Sequence, residues 1–364
     1  MDHPSPAWTQ RLLAWYREAK RPLPWRDAPD PYRVWISEIM GQQTRMEVLI
    51  PYFERFVDRL PTLSDLAAVP DDELLKLWEG LGYYRRAALL KKAAIAVMEH
   101  HGGVIPNNRE DLLALPGVGA YTAGAILSIA FGVFEPAVDG NVRRVLSRAF
   151  GIDADPGSAD GKASFDRLVR ELAPAGHPGD YVQALMELGA LVCLPNGAPK
   201  CETCPVKDEC VARRENLIDA LPRRAAKKER RIEEWTVVVL RTGDGSVVLR
   251  RRPAGGLLGG MWGLPSYPGT LTPAATTAIL LSEGVRVDDV EPLAARTHVF
   301  THVEWRMTGY RATASQPVPE TFGNARSTAV IAAEDAIPSA YRGWIEELDG
   351  ASSKSNIMSK RKRN

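Results

Sequence analysis

The chain has 364 residues, enough for two domains, and its 45% hydrophobic and 25% charged residues match an ordinary globular protein. No run of about 18 apolar residues occurs, so no membrane span is expected, and the opening Met1–Asp2–His3–Pro4 lacks the pattern of a secretory signal, which makes the cytoplasm the expected location. The net charge of +1 excludes little, because a nucleic-acid enzyme needs a local basic face and not a basic total.

Residues 1–216 read as helical. Pro31 to Arg45 is amphipathic, with Trp35, Ile36, Ile39 and Met40 on one broad face. Asp71–Asp72–Glu73 places acids in the first turn of a helix running through Leu74, Leu75, Leu77 and Trp78. Arg85 to His100 forms another helix and stops at Gly102–Gly103. The segment Leu115–Pro116–Gly117–Val118–Gly119–Ala120–Tyr121 reads as a hairpin between two helices, and further helices are expected over Tyr121 to Phe131 and Asn141 to Phe150. Glycine lets a backbone approach a ligand closely, and a helix N-terminus favours an anion. Gly117, Val118 and Gly119 are therefore candidates for holding a DNA phosphate, with Val118 as a core anchor; an ordinary turn is the plainer alternative.

The four cysteines, Cys193, Cys201, Cys204 and Cys210, all fall within 18 consecutive positions. A disulfide framework would be spread out and would need an oxidising compartment, so this clustering points to metal. Four thiolates suit either a 4Fe–4S cluster or tetrahedral zinc, and cysteine chemistry alone leaves both open.

Composition changes near Leu217. Residues 217–233 form a basic linker containing Arg223, Arg224, Lys227, Lys228, Arg230 and Arg231. Strands follow at Trp235 to Arg241 and Val247 to Arg250 around a Gly243–Asp244–Gly245 turn. A Gly-rich loop from Gly255 to Gly263, a short helix near Ala274 to Leu281 and a strand pair over His298 to Ala312 complete an α+β domain over 234–348. Residues 349–364, with Lys360 to Arg363, read as a basic disordered tail.

Two carboxylates stand out. Glu38 lies mid-helix in Trp35–Ile36–Ser37–Glu38–Ile39–Met40, where desolvation should raise its pKa. Asp139 sits at a helix start, where the dipole favours the charged form. One protonated acid and one carboxylate is the division of labour that N-glycosidic cleavage requires.

Leu-Pro-Gly-Val-Gly followed by Val138–Asp139–Gly140–Asn141–Val142 resembles the helix–hairpin–helix glycosylases, which flip a target nucleotide out of the stack. Further motifs, Leu23–Pro24–Trp25–Arg26, Pro31 to Glu38, Gln42–Gln43–Thr44 and Gly80–Leu81–Gly82–Tyr83–Tyr84, are similar to those of the adenine DNA glycosylase (MutY) family, along nearly the whole chain. The resemblance implies a mainly α catalytic domain with a 4Fe–4S cluster on the four cysteines and a Nudix-like C-terminal domain. It implies a monomeric, nucleoid-associated base-excision-repair enzyme that removes adenine mispaired with 8-oxoguanine, or with guanine, in double-stranded DNA. Glu38 is then the general acid, Asp139 stabilises the sugar cation, and Tyr121 and Asn141 support them. Trp25, Arg26 and Gln183 line the adenine pocket, while Gln43 and Tyr83 wedge into the duplex. Thr301 and His302, in His298–Val299–Phe300–Thr301–His302, face the oxidised guanine.

Endonuclease III-type lyases place a Schiff-base lysine where this chain has Tyr121, so a bifunctional lyase is disfavoured. A nucleotide hydrolase would need several glutamates on one helix, yet Glu283 is the only carboxylate between Leu264 and Arg286. A non-enzymatic iron–sulfur protein that senses damaged DNA is a third possibility, opposed by the Glu38–Asp139 pair. Two departures from the family pattern are Gly41, where leucine is usual, and a first cysteine spacing one residue longer. A helical glycine costs about 1 kcal/mol relative to alanine, unless Gly41 serves close backbone packing.

Overall fold

The computed structural model describes residues 6–26, 29–195, 197–223, 229–253 and 255–347. The expected tail at 349–364, and Arg224, Lys227 and Lys228 of the expected linker, lie outside the described residues. The chain forms two compact units, one of Met1–Val69 with Ala88–Ala226 and one of Pro70–Ala87 with Lys227–Asn364. Among the described residues, no helix is long and apolar enough to cross a membrane.

The first unit begins with α1 (Pro6–Ala19), α2 (Pro31–Gly41), α3 (Met46–Arg59) and α4 (Leu63–Ala68). The Asp30 carboxylate caps α2 by accepting from the Tyr32 and Arg33 backbone N–H groups, and Pro31 opens the helix where its missing donor costs nothing. α2 stops at Gly41, short of the expected Arg45, because Gln43 takes a left-handed φ of 58° that no helix can continue. α5 (Asp71–Leu77) belongs to the second unit, as does the first turn of α6 (Arg85–His100).

The first unit continues with α7 (Arg109–Ala114), α8 (Ala120–Ala125), α9 (Gly140–Phe150), α10 (Ala159–Glu171), α11 (Pro178–Leu191) and the short α12 (Val211–Arg214). The single helix expected over Tyr121 to Phe131 is α8 followed by a π-helical segment, Ile126–Ala130. Within α8, Gly124 lies so close to the Pro136 carbonyl that a Cβ there would come within 2.0 Å of its oxygen. Trp8, Leu12 and Tyr16 of α1, Val142, Val145 and Leu146 of α9, Phe165 of α10 and Tyr181, Leu185 and Leu188 of α11 make one buried core. That core fixes α9 and α11, which carry Asn141 and Gln183.

The second unit is built on a mixed sheet of β1 (Arg231–Arg241), β2 (Val247–Arg251), β3 (Trp262–Gly263), β4 (Ser266–Pro268), β5 (Val287–Val299), β6 (Val303–Ala314) and β7 (Asn324–Arg326). Its main order is β3-β2-β1-β6-β5; β4 pairs with β1 and β7 with β2. Only the β1–β6 pairing is parallel among these pairs. β1 begins at Arg231, inside the stretch read as linker, because Arg231 already pairs with Val303. Alternation along β1 sends Val237 and Val239 to one face and Val238 and Leu240 to the other. The first face is covered by Ile331 of α14 (Thr328–Glu334) and by Tyr341 and Trp344, the second by Leu280 of α13 (Pro273–Ser282). The expected strand pair over His298 to Ala312 is the β5–β6 hairpin, turning at Phe300–His302. The part of β5 before His298 was hidden in sequence because its residues are mostly exposed, with breaks in register after Val287 and Leu293.

The α5 segment is tied into this unit by polar contacts. Lys76 Nζ donates to the carbonyls of Ala332 (2.8 Å) and Asp335 (3.1 Å). Glu79 accepts from the Ile337 N–H at 3.1 Å and pairs with Arg342 at 2.8 Å. Arg251 pairs with Asp72 at 3.0 Å. A chain ending at Ala220 would lose all these partners. We expect amide exchange over residues 71–84 in such a truncation to quicken by an order of magnitude or more, each lost bond being worth about 1 kcal/mol. The α9 and α11 amides should keep their protection. Uniform protection across both regions would show that the segment does not need the second unit.

Candidate active site

Glu38, on α2, meets Tyr121, in the first turn of α8. The Tyr121 hydroxyl donates to Glu38 Oε2 at 2.5 Å and lies 3.5 Å from Met186 Sδ. Burial pushes the Glu38 carboxyl up to about 7; the Tyr121 bond and the Arg26 charge oppose the rise, and the Asp139 charge adds to it. Burial, with the neighbouring acids, also holds the Tyr121 phenol well above its ordinary range, so it is a neutral donor. One Glu38 oxygen is thus engaged, leaving the other for a substrate.

Asp139 caps α9, accepting from the Val142 N–H at 2.8 Å and from Asn141 Nδ2 at 2.8 Å. The cap is where the sequence predicts it. The pKa direction is not: burial raises the Asp139 carboxyl, and the cap bonds, with Arg144, oppose the rise without reversing it. Asn141 is itself held, its Oδ1 accepting from Arg144 at 2.8 Å. Arg144 is buried and also donates to the Gly189 carbonyl at 2.9 Å and the Cys193 carbonyl at 2.7 Å. A continuous bonded path therefore runs from Asp139 through Asn141 and Arg144 to the first cysteine. Sequence reasoning missed Arg144; its one signal was a basic residue on the apolar side of an amphipathic helix.

Trp25 is buried and packs edge-on against Phe53 at 5.0 Å. Arg26 Nε donates to Gln183 Oε1 at 2.9 Å. Both Arg26 and Arg21 bind Glu187, a second residue that sequence reasoning missed. Gly117 has a φ of 79°, and a Cβ there would strike the Leu89 side chain at 2.8 Å, so this turn requires glycine. Val118 is buried, and Gly119 caps α8 with open space around it. Gln43 is exposed in the first unit. A Cβ on Gly41 would make only ordinary contact with Leu49 at 3.5 Å, so close packing does not require this glycine.

In the second unit, Tyr83 is 47% exposed with a φ of 48°. Its hydroxyl shares a hydrogen bond with Thr301 Oγ1 at 2.7 Å. Thr301 and His302 form the exposed tip of the β5–β6 hairpin, and the His302 carbonyl accepts from the Arg231 N–H at 3.1 Å. Behind the tip, His298, Phe300 and Trp305 stack edge to face.

All four cysteines are free and line one pocket with Arg148, Lys207 and Arg213. Arg148 donates to Cys193 Sγ at 3.4 Å. Burial raises the Cys201, Cys204 and Cys210 thiols, Cys204 to about 11. Among the described residues no group of three or more His, Cys, Asp or Glu is placed to hold one metal ion. Lys207 and Arg213 both pair with Glu202.

Residues 36–171 match the HhH-GPD superfamily of base excision DNA repair proteins, and residues 236–345 match the NUDIX domain. The adenine DNA glycosylase of Rattus norvegicus is 36% identical over 82% of this chain and 69% of its own. That of Homo sapiens is 36% identical over 80% of this chain and 64% of its own. The chain belongs to the adenine DNA glycosylase family. A thermostable thymine-DNA glycosylase superposes with a TM-score of 0.52 at 30% identity, covering 57% of this chain and 96% of that one. An endonuclease III trapped as a covalent intermediate with DNA shares the fold, with a TM-score of 0.50 at 24% identity over 58% of this chain and 96% of its own.

Among the described residues of the NUDIX match, α13 carries no carboxylate ahead of its end. Glu283 closes α13 and is taken by Arg250, at 3.0 and 3.2 Å, and by the Tyr267 hydroxyl, at 2.5 Å.

The Glu38 shift has a stability consequence. Its folded pKa lies above its unfolded value, so the protein is free of the penalty below about pH 4.5 and bears it fully above about pH 7. Rising from 4.5 to about 7 corresponds to a penalty on the order of 3 kcal/mol. Glu38→Gln should therefore match the wild type in denaturant stability at pH 4 and exceed it by that order at pH 8. An equal difference at both values would place Glu38 in water.

Proposed function

We propose that this glycosylase hydrolyses the N-glycosidic bond of adenine mispaired with 8-oxoguanine, or with guanine, leaving an abasic site. The observation that carries the reading is the half-buried Glu38 carboxyl, raised to about 7 by desolvation and bonded to a neutral phenol beside the capped Asp139. The adenine nucleotide is flipped into the pocket of Trp25, Arg26 and Gln183. Glu38 gives its proton to the leaving base. Tyr121 holds the carboxyl so that the proton is carried on the other oxygen. Asp139, ionised in the complex and oriented by Asn141, stabilises the positive charge on the sugar while water attacks. Tyr121 has no amine to form an imine, so the enzyme is monofunctional.

The hairpin at Gly117, Val118 and Gly119 offers backbone N–H groups to a phosphate. Thr301 and His302 read the oxidised guanine, and Gln43 and Tyr83 each wedge into the duplex. We assign a 4Fe–4S cluster to Cys193, Cys201, Cys204 and Cys210. Four thiols lining one pocket with three cations fit its ligand number and its charge. When bound it supplies a cross-link that ties down the loop from which Cys193 braces Arg144.

Glu38→Gln should lower single-turnover release of adenine by about 10²–10⁴-fold, the range of general acid catalysis, with affinity for the mismatched duplex kept. Near-normal release would remove Glu38 from the chemistry. Borohydride should trap no covalent adduct, and efficient trapping would contradict a monofunctional enzyme. Purified protein should be yellow-brown and contain iron and sulfide in about equal amounts. A colourless, active protein with one zinc would instead establish a single-ion site.

A further inference from the structure

Glu187 follows Gln183 by one turn of α11, so the two share a face, and it is only 1% exposed. Its carboxylate accepts from Arg21 N, Nε and Nη2, each at 2.9 Å, and from Arg26 Nη1 at 3.3 Å and Nη2 at 2.9 Å. Burial works to raise its pKa, but these bonds outweigh burial and hold it at about 2, so Glu187 is an anion at every working pH. Arg26 Nη1 also donates to the Arg21 carbonyl at 2.9 Å. The guanidinium is thereby fixed in plane and direction, and its Nε can point only at Gln183.

That donor decides how the Gln183 amide lies. Oε1 accepts from Arg26 Nε at 2.9 Å, and Nε2 donates to the Gly179 carbonyl at 3.1 Å. Turning the amide over would set N–H against N–H at Arg26 and oxygen against oxygen at Gly179. In the fixed orientation one N–H and one oxygen lone pair remain side by side. That pair complements the N6 amino group and N7 of adenine. A 6-oxopurine puts an acceptor where adenine has a donor, and its oxygen would face Oε1.

We infer that Glu187 is a positioning residue for base selection: by clamping Arg26 it locks the Gln183 amide in the orientation that accepts a 6-aminopurine and turns away a 6-oxopurine. The inference rests on Arg26 and Gln183 lining the base pocket. It assigns Glu187 no contact with the base.

The test is single-turnover release, by the full-length metal-loaded protein, from duplexes carrying adenine or hypoxanthine opposite the same oxidised guanine. Glu187→Gln should narrow the adenine-to-hypoxanthine rate ratio by about tenfold, the scale of one mismatched hydrogen bond. Glu187→Asp, which keeps the charge, should restore most of the ratio. In a Gln183→Ala background Glu187→Gln should leave the ratio unchanged, because the amide it orients is gone. Should Glu187→Gln fail to fold, Arg26→Lys preserves a cation for Glu187 but has no Nε fork, and should narrow the ratio similarly. If both rates fall together at a constant ratio in either variant, Glu187 is merely structural and the inference is wrong. If Gln183→Ala alone leaves the ratio at the wild-type value, the pocket assignment fails as well, a result distinguishable from failure of Glu187 alone.

Discussion

The catalytic arrangement depends on one carboxyl group taken out of water and given a single strong donor. Glu38 gains a bond from Tyr121 that favours its anion, yet desolvation outweighs that bond and keeps its pKa near 7. If the apolar face of α2 were opened to water, this balance would tip toward the ionised form. The packing of Trp35, Ile36, Ile39 and Met40 around Glu38 is therefore part of the chemistry as well as of the core.

Around this acid the protein builds polar supports from buried and half-buried groups. Asp139 relies on Asn141, Asn141 on Arg144, and Arg144 on carbonyls of Gly189 and Cys193. Arg26 relies on Glu187 in the same way. Each path ends on backbone or on a buried charge, so the groups facing substrate have few alternative positions. Such preorganisation is how a site stabilises developing charge without reorganising at the moment of reaction.

Much of this was legible in the sequence, for physical reasons. The apolar neighbours of Glu38 announce burial, and the residues after Asp139 announce a helix start. The strand pattern after Leu217 announces a change from helix to sheet. Other features were not legible because they depend on tertiary approach. Arg144 and Glu187 show no partner in sequence until α9 and α11 are packed. Burial overrides the dipole at Asp139, a competition that local sequence cannot decide. Residues 70–87 join the second unit through Lys76 and Glu79, whose partners lie about 250 positions away. The end of α2 at Gly41 turns on one left-handed residue, Gln43, which carries no glycine to mark it.

The most direct test of the central claim is the titration of Glu38 itself. Carboxyl-labelled glutamate, followed by carbon NMR with Glu38→Gln to assign the resonance, gives its pKa without reference to turnover. A midpoint near 7, falling further when Tyr121 remains but the site is opened by Trp35→Ala, is the result expected from a desolvated acid held by a neutral phenol. A midpoint at or below 4.5 in the intact protein would show that Glu38 is ionised at neutral pH and cannot be the proton donor.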